Sequence, residues 1–114
     1  MIDDTAKGYL YTAVRAECKK AIKQHGQFHS HHEAWAVLQE EIEEVEDAYR
    51  ECAGKINDIM PGLWTDIRSD VVNESCKDDL LQIKVAVLEI ACECIQVAAM
   101  CDKWDILISG CEVQ

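Results

Sequence analysis

The stretch AWAVLQEEIEEVEDAYRECA, Ala34 to Ala53, decides the fold. Its apolar residues Leu38, Ile42, Val45, Tyr49 and Cys52 recur at alternating four- and three-residue steps. That is the spacing of a helix with one buried face. Just upstream, Ser30 followed by Glu33 forms a capping-box pair, which marks a helix start. The pattern predicts a helix from about His31 to Cys52 or Ala53, with Gly54 beyond it. Working outward, Leu10, Ala13, Val14, Ala21 and Ile22 define an earlier helix, capped by Asp4 or Thr5 and ended by Gly26, a natural glycine stop. On the other side, Pro61-Gly62 reads as a break. Leu63, Ile67 and Val71 then fit a short helix, with Asn73 or Ser75 as the next cap. A last helix is expected from about Asp78 to Ile108, stopping before Gly110 and long enough for a kink. With a single proline and five glycines in the chain, turn chemistry is too scarce for a sheet. The expectation is one all-α domain over residues 1–114, a bundle of four to five helices, two of them long.

The 114 residues include 22 acids against 11 bases, a net charge of −11. That balance excludes a general nucleic-acid binder, whose affinity comes from cations on phosphates. It also disfavours an anionic membrane surface. An anionic substrate stays open, because a bound divalent cation inverts the local sign. No leader is visible after Met1, and the longest apolar tract, Val85 to Cys101, is interrupted by Glu89, Glu93 and Gln96. A soluble cytoplasmic protein is expected. The seven cysteines include no C-x-x-C pair, so they read as small buried hydrophobes in a reducing compartment. His25, His29, His31 and His32 cluster where the second helix starts, and are expected to be exposed.

Among so many acids, the informative ones interrupt apolar strips. A helix advances about 100° per residue. With Leu38 as zero, Glu40, Glu43, Asp47 and Glu51 fall on the far side, at roughly 140° to 220°, and read as solvent acids. Glu41 and Glu44 lie about 60° and 120° from the seam, on a strip continued by Ala34, Val37 and Ala48. At i, i+3 spacing their carboxylates project side by side. On the last helix Glu89, Glu93 and Gln96 fall within about 60° of one another. The surrounding segment is apolar all round, the signature of a helix buried on every side. Buried carboxylates need a partner or a proton, and nearby lysines are few. A cation facing both strips is the simplest solution. Oxygen ligands from carboxylates and a carboxamide suit Mg²⁺ or Mn²⁺. A di-iron bundle would need Glu-x-x-His, which the chain lacks.

The segment from Leu38 to Ala48, LQEEIEEVEDA, resembles the L-x-E-E-x-x-E-(L/V)-x-x-A motif of MazG-like nucleoside triphosphate pyrophosphohydrolases. Glu93-Cys-Ile-Gln96, followed by Val-Ala-Ala-Met, is similar to their second motif, E-x-x-D. With the preceding His-Glu-Ala-Trp-Ala-Val-Leu, the likeness is nearest to phage-type members. The resemblance implies Mg²⁺-dependent hydrolysis of a (deoxy)nucleoside triphosphate to monophosphate and pyrophosphate. It implies Glu41, Glu44 and Glu93 as metal ligands, with Gln96 in the place of the usual aspartate and Glu89 able to compensate the missing charge. Glu41 or Glu89 would take the proton from water, as catalytic residues. Lys19, Lys23 and Lys103 would hold phosphates, and Trp35 or Trp104 would stack on the base. It further implies a homodimer or homotetramer, which agrees with the apolar last helix. Gln96 motivates the alternative of a non-catalytic helical nucleotide-binding or adaptor module that keeps the scaffold.

Overall fold

A computed structural model of the chain describes residues 1–110; Cys111 lies outside them. The described fold is all-α and comprises α1 (Asp4–His25), α2 (His31–Arg68) and α3 (Glu74–Ser109). Asp3, one residue earlier than expected, caps α1 by accepting from the Ala6 N–H at 2.9 Å. Gly26 ends it at φ 74°, a backbone conformation glycine adopts freely. The capping box forms with a variation. Ser30 Oγ accepts from the Glu33 N–H at 3.0 Å, while Glu33 Oε1 accepts from the N–H of His29, not that of Ser30.

Three helices stand where four to five were expected, because α2 does not stop at Gly54 or break at Pro61-Gly62. The segment read as a linker and a short helix is instead the second half of one 38-residue helix. Pro61 cannot donate to the Asn57 carbonyl, a loss of roughly 3 kcal/mol. Against it stands a face that keeps helical spacing through the break: Cys52, Ile56, Ile59 and Leu63 are all buried or half-buried. Tertiary packing therefore overrides the local signal. The helix ends in a Schellman turn, with Val71 N–H bonded to Asp66 O and Asp70 N–H to Ile67 O, and Asp70 in the left-handed region at φ 56°. Asn73 caps α3 through the Ser75 N–H, so α3 starts four residues before Asp78.

Helix continuity at Gly54 has a direct test. A Cβ placed there meets nothing within 4 Å, and alanine in a helix interior is favoured over glycine by about 0.5–1 kcal/mol. Gly54→Ala is expected to raise the melting temperature by several degrees. A fall would show that the chain turns at this position.

α3 is the central element: α2 runs along it and α1 packs on it, whereas α1 and α2 do not pack backbone to backbone. The α1 end holds the core, Cys18, Phe28, Ala34, Ala99 and Met100, with Val37, Leu38 and Trp104 against it. The other end is a bare two-helix hairpin whose buried residues are Cys52, Leu63, Cys76 and Ala86. The molecule measures 61 × 30 × 22 Å with a radius of gyration of 18.8 Å, where a compact chain of this length has roughly 13 Å. The expectation that α3 is buried on every side fails here. Leu80, Leu81, Val85, Val87 and Leu88 are exposed, because α1 covers only the other half of the helix. The cysteines divide likewise: Cys18, Cys52 and Cys76 are buried, while Cys92, Cys94 and Cys101 are exposed. Among the described residues no helix is long and apolar enough to cross a membrane.

Candidate metal centre

Glu41 and Glu44 project from adjacent turns of α2, and Glu93 faces them from α3. One carboxylate oxygen of each lies within 4.8 Å of the other two. Glu41 and Glu93 are half-buried and Glu44 is exposed, so the cluster sits at the rim of the α2–α3 seam. Burial, and then the charges of Glu44 and Glu93, push the Glu41 carboxyl above the usual carboxylate range. Burial, the hydrogen bond with Glu44 and the charges of Glu44 and Glu89 do the same to Glu93. The mutual repulsion of the cluster is relieved by a proton or by a cation, so it is a candidate cation site. Oxygen ligands at about 2.1 Å around an octahedral ion lie roughly 3 to 4.2 Å apart, so the triad would have to draw together to hold one. Glu40, Glu43, Asp47 and Glu51 are exposed, as expected of solvent acids.

Glu41 also lines a cleft of about 400 Å³ between the three helices. Glu17, Gln96 and Glu41 border one end of it; Gln24, His25, Phe28, Glu33 and Lys103 border the other. Gln96, the carboxamide expected beside these carboxylates, lines the same cleft as Glu41. Its Nε2 donates to Glu17 Oε2 at 3.1 Å, which draws a fourth carboxylate, from α1, to the same cleft. Glu89, exposed and one turn before Glu93, borders a separate cavity of about 60 Å³ with Ala48, Cys52 and Lys55. It acts on Glu93 through its charge.

The basic and aromatic candidates fare differently. Lys103 lines the cleft and is buried. Lys19, Lys23 and Trp35 are exposed and lie outside its lining. Trp104 packs against the core and donates its Nε1–H to His31 Nδ1 at 3.0 Å, a structural task. Glu17, Lys20, Gln24, Phe28 and Glu33 line the cleft without having been singled out. Glu17 had a usable signal: it stands three residues after Val14 and four before Ala21, an acid on an apolar strip like Glu41. Phe28 had none, since it lies between two helices.

Compared with protein-family models, characterised proteins and solved structures, the chain matches none.

Proposed function

We propose that the protein is a divalent-cation-dependent hydrolase that cleaves a (deoxy)nucleoside triphosphate to the monophosphate and pyrophosphate. The observation that carries this reading is the convergence of Glu41, Glu44 and Glu93 from two helices, with Glu41 also lining the cleft between the helices. The likeness of their two motifs to those of MazG-like pyrophosphohydrolases supplies the reaction class. When bound, Mg²⁺ or Mn²⁺ neutralises phosphate charge and acidifies a water molecule. Glu44 and Glu93 would hold the ion, beside Glu41. Glu41 belongs to the triad and also lines the cleft, and we assign it the proton leaving the attacking water. Glu89, turned toward a different cavity, tunes Glu93 rather than meeting substrate. Gln96 fixes Glu17 at the cleft wall and so restores part of the charge that an aspartate would have brought.

The test is pyrophosphate release across the ribo- and deoxynucleoside triphosphates with Mg²⁺ and with Mn²⁺. At least one substrate should turn over, and chelation should stop it. Binding without turnover on every substrate would favour a non-catalytic nucleotide module instead.

A second copy of the chain fits the uncovered surface. The α2 seam residues Ile42 and Val45 border an open apolar groove with Cys94 and Val97 rather than the core. Trp64, Ile67, Leu80, Leu81, Val85 and Leu88 extend the apolar surface along the bare hairpin. Contiguous patches of that kind are covered in stable proteins, and pairing two hairpins makes a four-helix bundle. Light scattering is expected to give a mass of at least twice the 12.9 kDa protomer. A monomer at micromolar concentration would contradict the pairing.

A further inference from the structure

The carboxylate end of the cleft has a task in this reading; the opposite end does not, although it holds the least expected residue in the molecule. Lys103 is only 5% exposed. Among the described residues its ammonium makes no hydrogen bond and no ion pair; it lies over the Phe28 ring, 4.1 Å from Nζ to centroid, with the charge of Glu33 nearby. No polar side-chain atom among them is sealed off without a partner, so Nζ reaches open space, and the space it borders is the cleft. Water reaches this ammonium only from the cleft, and no anion is in hydrogen-bonding contact with it, so the charge is poorly solvated. Burial accordingly pulls its pKa below the ordinary lysine value. Such a group is arranged for a partner that arrives.

Glu33 shares this end of the cleft. His29 fixes its carboxylate, with Nδ1 3.1 Å from Oε2 and the backbone N–H 3.3 Å from Oε1. The hydrogen bond from His29 also holds its carboxyl below the usual range. A carboxylate has about four acceptor sites, so capacity remains. A charged donor and an oriented acceptor thus border the same end of the cleft, about two helical turns from Glu41.

We infer that Lys103 and Glu33 read the base of the bound nucleotide, the ammonium donating to a ring carbonyl and the carboxylate accepting from the adjacent ring N–H. The substrates this selects are nucleotides with a lactam edge, the 6-oxopurines and 4-oxopyrimidines. The inference rests on the nucleotide reading above and assigns the end of the cleft that reading leaves empty. Adenine and cytosine carry an amine where the oxo bases carry oxygen, and a bare ring nitrogen where they carry N–H. Both contacts then become donor to donor and acceptor to acceptor. A phosphate placed here would meet the charge of Glu33. The Phe28 ring is covered by the ammonium, so it positions Lys103 and does not stack on the base.

Calorimetry with Mg²⁺ tests this on GMP, IMP, AMP, UMP, CMP and inorganic pyrophosphate, beside turnover of the matching triphosphates. GMP and IMP should bind about tenfold or more tighter than AMP, and UMP than CMP, the scale of one charge-assisted hydrogen bond. Lys103→Met should erase that preference and leave pyrophosphate binding unchanged. Glu33→Gln, at a part-exposed position, should weaken the preference in a fold that is kept even if Lys103→Met does not fold. Preference for amino bases, or a preference that survives both variants, overturns the assignment. So does a loss of pyrophosphate affinity in Lys103→Met as large as the loss for nucleotides, which would make Lys103 a phosphate ligand. Oxo-base preference without turnover removes the hydrolase reading and leaves this one. Turnover without base preference does the reverse, and no nucleotide binding at all overturns both.

Discussion

Glu44→Gln and Glu93→Gln are each expected to lower Mg²⁺-dependent pyrophosphate release by about 10² to 10³-fold, the scale for losing one preorganised charge-stabilising group. The same variants are expected to make the metal-free protein more stable. Glu44 is among the groups that raise the carboxyls of both Glu41 and Glu93, so removing its charge relieves both. The pH dependence follows from the direction of those shifts. A carboxyl raised in the folded state binds protons more readily folded than unfolded. Its contribution to stability is therefore fully present below the unfolded value of about 4.3 and lost as pH rises through the raised folded value. The metal-free melting temperature should fall as pH climbs from about 4 toward neutrality. That fall should flatten in Glu44→Gln, and Mg²⁺ should reverse it in the wild type alone. A metal site predicts opposite effects of one substitution on activity and on metal-free stability. Loss of activity together with loss of stability would instead mark Glu44 and Glu93 as ordinary structural acids.

How far the sequence reached depends on which force shaped each part. Glu41, Glu44 and Glu93 were legible because carboxylates on apolar strips are anomalous at single-residue resolution, and helical spacing fixes their direction. Caps at Ser30 and Asn73 were legible for the same local reason. The length of α2 was not. Pro61-Gly62 is a strong local breaker, and only the continued inner face through Ile56, Ile59 and Leu63, held against α3, overrides it. The seam of α2 was placed about one residue-width off. Ala34 is fully buried and Val37 packs on the core, whereas Tyr49 is 64% exposed and Ile42 and Val45 border an open groove. The acid strip is thus the side that faces α3 near the cleft, which places Glu41 deeper than its angle from Leu38 suggested. The far end of the cleft was least legible. Lys103 and Phe28 meet only because the connector between α1 and α2 folds under α3, and no periodicity reports a connector.

That connector also sets the second large effect. Phe28→Ala is expected to destabilise the fold by about 3–5 kcal/mol, the usual range for truncating a buried phenylalanine. Set against a total of roughly 5–15 kcal/mol for a domain, this removes about a fifth of the stability or more. In a chain of this length it corresponds to a fall in melting temperature of roughly 10–25 °C. Several features place the effect at this residue. The core at the α1 end consists of small side chains, Cys18, Ala34 and Ala99, with Phe28 and Met100 as its large members. The ring shares one buried cluster with residues of all three helices and carries the Lys103 ammonium on its face. Neighbouring alanines cannot close the resulting cavity, so the loss should exceed the area removed from water. Urea unfolding is the measurement: the midpoint should drop with little change in slope, and Phe28→Leu should recover part of the loss. A cost under about 1 kcal/mol would mean the α1 end relaxes around the gap. The stability of the cleft would then rest on the α2–α3 hairpin alone. The expected outcome is the larger one, because that hairpin buries chiefly Cys52, Leu63, Cys76 and Ala86, too little apolar volume to hold α1 in register without the ring.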